Sequence, residues 1–572
     1  MTELFASGMK LVERRLDDGT IAYTNSIPLP DDRPDVLDRL RRWAEERPYH
    51  PLLSEPAGDG RRTIAYGEAL ARARALRALL AGRFGLTRGD VVATLAPAGI
   101  DALLLKLACL VGGFVHVALP PFPFRDGMAS EATKPFLDVA APKLLVAPEG
   151  HPSIERLGAV VIGGLVQAGG TALADGDNDD APAAPDDWAD IFFTSGSTGA
   201  AKGVPITRGM ISSNQAAIAA MWPFISNAPV LIDWLPWHHV FGGLDNIFKM
   251  VWNGGTLHVD APPGPDTMAA TVALMEAAQP TLHIAVPLGL RLLLDRLEGD
   301  ARATAAFLRR LRAIFFAGAG IDADLWARLA AFRERHGGFE ILSGYGATEA
   351  ASTICLSPAP LERPGELGIP LPGHRIVLGE ADGRTELTVA GPNVAPCYLV
   401  GGERRLLPLD ARGFYRTGDA AMLRARADGI KVFGFDGRLA EDFKLSSGVK
   451  VRTGSLRAGL IAQCAPLVAD VVVGGENRER LVALVFAAAP ASSPGLVADL
   501  SARLASWNAA QTGASTRIAR FAIAAAPADR ALGELSDKGQ IVQSRYLRNH
   551  AALFESLQDG SYGHPPNDTK AA

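Results

Sequence analysis

The sequence predicts an α/β protein with a smaller second domain, on three observations. Short apolar runs alternate with helix-period stretches through most of the chain, as in "GDVVATLAP", "GIDALLLKLACLVGG" and "FVHVAL". Continuous apolar runs of this length are what strands buried on both faces require. At 572 residues the chain exceeds the size at which one hydrophobic core stops growing. After residue 437 the texture changes to the β-rich pieces "ADVVVGG" and "RLVALVFAA", followed by the helix-like "GLVADLSARLASWNAAQ".

Taken in order, residues 64–84 ("IAYGEALARARALRALLAGRF") set apolar and basic positions at helical spacing. A strand, a helix and a second strand follow through "FVHVAL", and further buried strands are expected at "PKLLVAP", "LHIAVP", "LRAIFFAGAG" and "FEILSGYG". Residues 168–188, acidic and Pro-containing, read as a surface loop, and 561–572 ("SYGHPPNDTKAA") as a disordered tail. No internal repeat is present. The division expected is an N-terminal domain over 1–437 and a C-terminal domain over 443–560.

Composition narrows the class. The chain is 48% hydrophobic and 21% charged, as ordinary globular proteins are, and its net charge of −5 argues against a nucleic-acid or anionic-membrane binder. The start "MTELFASGMK" lacks the basic-then-apolar pattern of a signal peptide. "LLLKLACLVGGFVHVAL" comes nearest to a membrane span, but Lys106, His116 and Gly112–Gly113 interrupt it. Cys109, Cys355, Cys397 and Cys464 are far apart and show no metal-ligand spacing, which suits a reducing compartment. A cytoplasmic protein is expected.

The string "TSGSTGAAKG" (Thr194–Gly203) follows the apolar run "DIFF" and has the composition to wrap backbone N–H groups around a phosphate. A kinase-type phosphate loop needs Gly directly before its lysine and a hydroxyl directly after. Lys202 has Ala201 before it and Gly203 after it, so that reading fails. Five further strings follow: "FFAGAG" (Phe315–Gly320), "GYGATEA" (Gly344–Ala350), "GFYRTGD" (Gly413–Asp419), "GFDGRLAEDFKLSSGVKV" and "GELSDKGQI" (Gly533–Ile541). Each alone has a bland reading: a glycine turn, an N-cap signal, a surface Gly-Asp turn, a solvated arginine, an exposed lysine.

Together and in this order they resemble the adenylate-forming superfamily of acyl-CoA synthetases, peptide-synthetase adenylation domains and luciferases. The resemblance covers nearly the whole chain. It implies a large N-terminal domain of mixed sheets with packed helices, a hinge over 438–442 and a small mobile α+β domain. It also implies ATP, Mg²⁺ and coenzyme A. Thr194, Ser195, Gly196, Ser197, Thr198, Gly199 and Lys202 would hold the outer phosphates. Ala317, Gly318 and Ala319 would line the adenine site, with Gly344, Tyr345 and Gly346 beside it. Thr348 would bond the α-phosphate and Glu349 would bind Mg²⁺, a cation that prefers hard oxygens. Asp419 would accept both ribose hydroxyls, and Arg438 would reach ribose and phosphate. Lys538 would be the catalytic lysine of the mobile domain, and Lys444 and Gly448 would face the site after that domain rotates. The implied reaction is R–COO⁻ + MgATP → R–CO–AMP + pyrophosphate, followed by thiol attack on the acyl carbonyl.

"DWLPWHHVFGG" (Asp233–Gly243), "NGGTLHVD" and "AEDFKLSSG" are similar to feruloyl-CoA synthetases, which activate hydroxycinnamic acids. His239 would sit at the mouth of the acyl pocket, while His238 reads as an ordinary imidazole. Trp237, Phe241, Phe315 and Tyr345 suit a flat aromatic pocket and suit a plain core equally well. The chain departs from the superfamily pattern at Ala440, where Asp or Lys is usual, leaving Glu441 or Asp442 for the hinge, and at Cys397, where glycine is usual. The alternatives are an enzyme loading a carrier protein's pantetheine, a P-loop NTPase, and a non-catalytic nucleotide binder.

Overall fold

The computed structural model describes residues 3–120, 129–171, 180, 184–195, 201–264, 266–381, 383–488, 493–529, 532–535 and 541–566. Among them the strands form a fifteen-stranded sheet, an eight-stranded sheet, a two-stranded ribbon and a three-stranded sheet. The centre of the largest sheet is parallel, with Thr256–Val259, Val230–Asp233, Leu282–Ala285, Ala313–Phe316 and Glu340–Tyr345 side by side. The strands "LHIA" and "AIFF" are buried at every position, as strands covered on both faces must be. Past Tyr345 the sheet turns antiparallel, through Cys355–Leu356 and Glu366–Pro370 to the hairpin of Tyr415–Ala425 and Lys431–Arg438. Parallel strands point their carboxyl ends to one edge, and connections leaving that edge are where open α/β sheets bind ligands. Segments 234–239, 317–320 and 346–350 all leave there.

The eight-stranded sheet carries Trp188–Ser195, which runs parallel to Val115–Ala118 and forms a hairpin with Ala201–Thr207. The stretch that came nearest to a membrane span folds as helix Ile100–Gly112, a left-handed turn at Gly113 (φ 67°) and strand Val115–Ala118. Its two interrupting polar side chains meet one carboxylate: Lys106 Nζ lies 2.5 Å and His116 Nδ1 2.8 Å from Asp190 Oδ1. Burial pushes the His116 pKa down, and Lys106 adds to that, so the imidazole is neutral. Burial works against the Asp190 carboxylate, but Lys106 and His116 outweigh it and hold its pKa below the ordinary value. No helix among the described residues is long and apolar enough to cross a membrane.

Beyond the hinge region, Val468–Gly474 and Leu481–Ala487 pair antiparallel, and Ile518–Ile523 adds in parallel. Helices Thr453–Cys464 and Leu496–Ala510 cover one face of this sheet, through Leu456, Leu460, Leu500 and Leu504. Helices Gln543–Asn549 and Ala551–Asp559 cover the other through Tyr546, Phe554 and Leu557. The result is a compact α+β unit with its own core.

Three local expectations need correction. The helix expected from residue 64 begins at Tyr66, because Ile64 pairs with Leu53 in the hairpin of Pro51–Ala57 and Gly60–Ala65. The acidic stretch 168–188 is not simply a surface loop. A helix runs into it as far as Thr171, and Asp180, only 5% exposed, is held by Arg41 and Arg74. The tail is ordered further than expected, since His564 exchanges two backbone hydrogen bonds with Phe521 (2.7 and 2.9 Å). Residues 567–572 lie outside the described residues. All four cysteines are buried and free.

Removing one partner of a buried ion pair leaves an uncompensated charge. Lys106→Met is therefore expected to lower unfolding free energy by about 3–5 kcal/mol in urea melts. Adding Asp190→Asn to it should recover part of that loss; a neutral result for the single variant would contradict the buried pairing.

Candidate active site

The string Thr194–Gly203 has its two ends paired in the hairpin just described. Thr194 pairs with Lys202 across it, and Ser195, the last residue of its strand, pairs with Ala201. Gly196, Ser197, Thr198 and Gly199 lie outside the described residues, as does Lys538. Lys202 is half-buried, and its Nζ stands 5.3 Å from the ring centroid of Tyr398.

Two parallel strands deliver the next residues. Ala317, Gly318 and Ala319 leave the end of Ala313–Phe316, with Gly318 in the left-handed region (φ 82°). Gly344 and Tyr345 end the neighbouring strand, and Gly346 follows. Thr348 and Glu349 then form a single 3₁₀ turn, Thr348–Ala350, so "TE" does not start an α-helix here. The chain doubles back tightly enough that a Cβ on Gly346 would fall 1.5 Å from the Ser352 carbonyl oxygen. Only glycine fits, and the turn swings Glu349 inward, where it is 9% exposed.

Glu349 is held from outside its own strand. Its Oε1 accepts the Tyr398 hydroxyl at 2.6 Å, and its backbone carbonyl accepts Ala395 N at 2.7 Å. Burial first, then the Glu349 charge, raises the Tyr398 phenol pKa, so this hydroxyl remains a donor. Tyr415 Oη lies 3.4 Å from Tyr398 Oη.

The long hairpin supplies Asp419, which pairs in register with Arg438. Tyr345 Oη donates to Asp419 Oδ2 at 2.7 Å, and Arg438 Nε lies 3.4 Å from Oδ1. Burial, reinforced by the Asp419 charge, raises the Tyr345 pKa. The Arg438 side chain is 65% exposed, and the Asp419 charge raises its pKa.

His239 follows the carboxyl end of Val230–Asp233 and lies two residues before the start of a π-helical stretch, Phe241–Asn246; its carbonyl accepts Gly243 N at 2.7 Å. Its ring lies 4.5 Å from that of His238. Of the four expected pocket aromatics, Phe241 and Phe315 meet edge to face at 6.0 Å, and Gly344 abuts the Phe315 ring. Trp237 is buried in the main core. Lys444 and Gly448 fall in the two-stranded ribbon Phe443–Lys444/Lys450–Val451, and no described hydrogen bond joins them to the Asp419 group.

Sequence reasoning missed Tyr398 and Arg384. Within residues 438–442, where the resemblance implies a hinge, Glu441 and Asp442 have different surroundings. The Asp442 side chain is fully buried; its Oδ2 accepts Arg384 Nη1 at 2.7 Å, and its Oδ1 accepts Thr453 N, at the start of the small domain's first helix, at 3.1 Å. Arg384 Nη2 lies 2.8 Å from Asp436 Oδ2. Glu441 Oε2 lies 3.8 Å from Arg457 Nη1. Ala440 has no side chain for such a role.

Fold and site together define a two-lobed α/β protein whose polar groups converge from both large sheets. The AMP-binding enzyme family matches residues 40–399, and the AMP-binding enzyme C-terminal domain matches residues 442–560. The chain belongs to the AMP-binding enzymes, the adenylate-forming class of ATP-dependent, AMP-forming acid–CoA ligases that use ATP, Mg²⁺ and coenzyme A. It is 30% identical to a feruloyl-CoA synthase of Amycolatopsis sp over 429 residues, 72% of this chain and 81% of that protein. It is equally similar, at 30% over 503 residues, to an isonitrile lipopeptide synthase of Streptomyces coeruleorubidus, covering 82% of this chain but only 31% of that longer protein. ATP-bound MatB from Rhodopseudomonas palustris superposes with a TM-score of 0.70 at 22% identity, covering 91% of this chain and all of that one.

Charge-assisted hydrogen bonds contribute roughly 1.5–3 kcal/mol each. Asp419→Ala is expected to weaken ATP binding by about ten- to a hundredfold in calorimetric titration while leaving the melting temperature within a few degrees. Unchanged affinity would remove Asp419 from the nucleotide site.

Proposed function

We propose that this enzyme activates a hydrophobic aryl-propenoic acid, of the hydroxycinnamic type, as its acyl-adenylate and transfers it to coenzyme A. One observation carries the reading: residues far apart in sequence converge in two groups, Lys202 and Glu349 at Tyr398, and Tyr345 and Arg438 at Asp419. The similarity to a feruloyl-CoA synthase and the Phe241–Phe315 pair support the aromatic acid.

A carboxylate is a weak nucleophile, and ATP is itself anionic. Positioning and charge neutralisation therefore carry the first step. In this reading Asp419 holds the ribose hydroxyls, Arg438 reaches ribose and phosphate, and Lys202 with the loop backbone holds the outer phosphates. Thr348 bonds the α-phosphate, and Glu349 holds Mg²⁺. The donor set suits that ion: Tyr398 takes one carboxylate oxygen and leaves a second, and no described cluster of three acidic, His or Cys side chains forms a protein cage. Held there, Mg²⁺ would supply positive charge where negative charge accumulates. Lys538 bridges the incoming carboxylate and the nucleotide, then leaves as the small domain turns at the hinge, with Asp442 as its fixed point. Lys444 and Gly448 then face the acyl group.

The second reading, a stand-alone enzyme loading a carrier-protein pantetheine, is favoured by the matching identity to the isonitrile lipopeptide synthase. One screen separates the two. Pyrophosphate release should be fastest with ferulic, p-coumaric and cinnamic acids, and CoA thioesters should accumulate. Thioester formed only on a carrier protein supports the second reading. Release with none of the cinnamic, benzoic, medium-chain and short polar acids contradicts both. Lys538→Ala should slow adenylation by about a hundredfold or more while sparing thioester formation from supplied acyl-adenylate.

A further inference from the structure

Tyr398 stands between the two charges assigned above to the phosphates, and it touches both. Its hydroxyl donates to Glu349 Oε1 at 2.6 Å, and its ring face lies 5.3 Å from Lys202 Nζ. Backbone pairing fixes both contacts. Strand Tyr398–Val400 pairs with Ala201–Thr207 through Leu399 and Gly203, which sets the ring beside Lys202. Three residues upstream, Ala395 N holds the Glu349 carbonyl at 2.7 Å, so one short segment grips residue 349 by backbone and side chain.

We infer that Tyr398 is a positioning residue for nucleotide and metal: its hydroxyl orients the Glu349 carboxylate, and its ring seats the Lys202 ammonium. The chemistry follows from the contacts. A phenol bonded to Oε1 removes the carboxylate's freedom to rotate about its last torsion and leaves Oε2 for a hard cation. Groups that orient a metal ligand in this way tune affinity although they never touch the ion. The ring attracts the ammonium by its quadrupole without neutralising it, so Lys202 keeps its full charge for a phosphate. A carboxylate partner in the same place would have cancelled that charge. Tyr398 thereby couples the phosphate hairpin, in one sheet, to the Glu349 turn, at the edge of the other. This assignment rests on the roles proposed above for Glu349 and Lys202.

The test uses the full chain and a direct binding readout, so that no acid substrate is needed. Free Mn²⁺ is titrated by electron paramagnetic resonance in the presence of α,β-methylene-ATP. Affinity for the same nucleotide is measured calorimetrically in EDTA. Tyr398→Phe keeps the ring and removes the hydroxyl; it should weaken Mn²⁺ binding about tenfold and leave metal-free nucleotide affinity unchanged. Tyr398→Leu removes both and should in addition weaken metal-free nucleotide affinity by about threefold to fivefold. In a Glu349→Gln background the further effect of Tyr398→Phe on Mn²⁺ should vanish. Wild-type Mn²⁺ affinity in Tyr398→Phe, or an undiminished effect in the Glu349→Gln background, would overturn the inference, as would unfolding of Tyr398→Phe, which would make the hydroxyl a purely structural bond. If the wild type itself binds no Mn²⁺ beyond what the nucleotide carries, it is the Glu349 reading that fails.

Discussion

Two hydrogen bonds from one segment, Ala395 N to the Glu349 carbonyl and Tyr398 Oη to the Glu349 carboxylate, join the two sheets where their polar groups converge. Each sheet alone supplies half a site. The eight-stranded sheet brings the hairpin with Thr194 and Lys202, and the fifteen-stranded sheet brings the turn with Thr348 and Glu349 and the hairpin with Asp419. In the proposed reading the triphosphate and the ribose need both halves. The segment 391–400 makes them one surface, because its strand belongs to the first sheet and its side chains reach into the second.

The joint explains features that would otherwise look arbitrary. Glu349 is delivered on a turn too tight for any residue but glycine at 346, and there it meets Tyr398. The hairpin bearing Lys202 must stay in register with Glu349, and the buried Lys106–Asp190–His116 group fixes the base of the strand that leads to it. At the opposite end of the site, Arg384 ties the large domain to Asp442, whose other oxygen receives the first helix of the small domain. One carboxylate at 442 thus does for the lobes what one carboxylate at 349 does for the sheets.

Much of this was legible in the sequence. The parallel strands announce themselves as unbroken apolar runs such as "AIFF" and "LHIA", and the residues proposed to face the nucleotide sit in contiguous strings. What was not legible depends on distance along the chain. Tyr398 and Glu349 are 49 residues apart, and Arg384 and Asp442 are 58 apart. Nothing local distinguishes a tyrosine in "APCYL" from a strand residue with a solvent-facing hydroxyl. The arginine that opens strand Arg384–Ala390 likewise reads as an exposed charge in a Gly-Arg turn, yet it is 5% exposed. Burial of polar groups is decided by what packs over them, and that is set by topology. The helix start at Tyr66 was displaced for the same reason: strand pairing of residues 60–65 outweighed their helical spacing.

The central claim is that a single nucleotide spans both sheets, with an acyl group joined to its α-phosphorus. A crystal structure with a non-hydrolysable acyl-sulfamoyl adenosine carrying a cinnamoyl group tests it most directly. The account predicts the ribose hydroxyls on Asp419, the adenine against Ala317–Ala319, the sulfamoyl oxygens at Thr348 and the acyl chain toward Phe241 and Phe315. An analogue bound elsewhere, or one whose ribose makes no contact with Asp419, would contradict it.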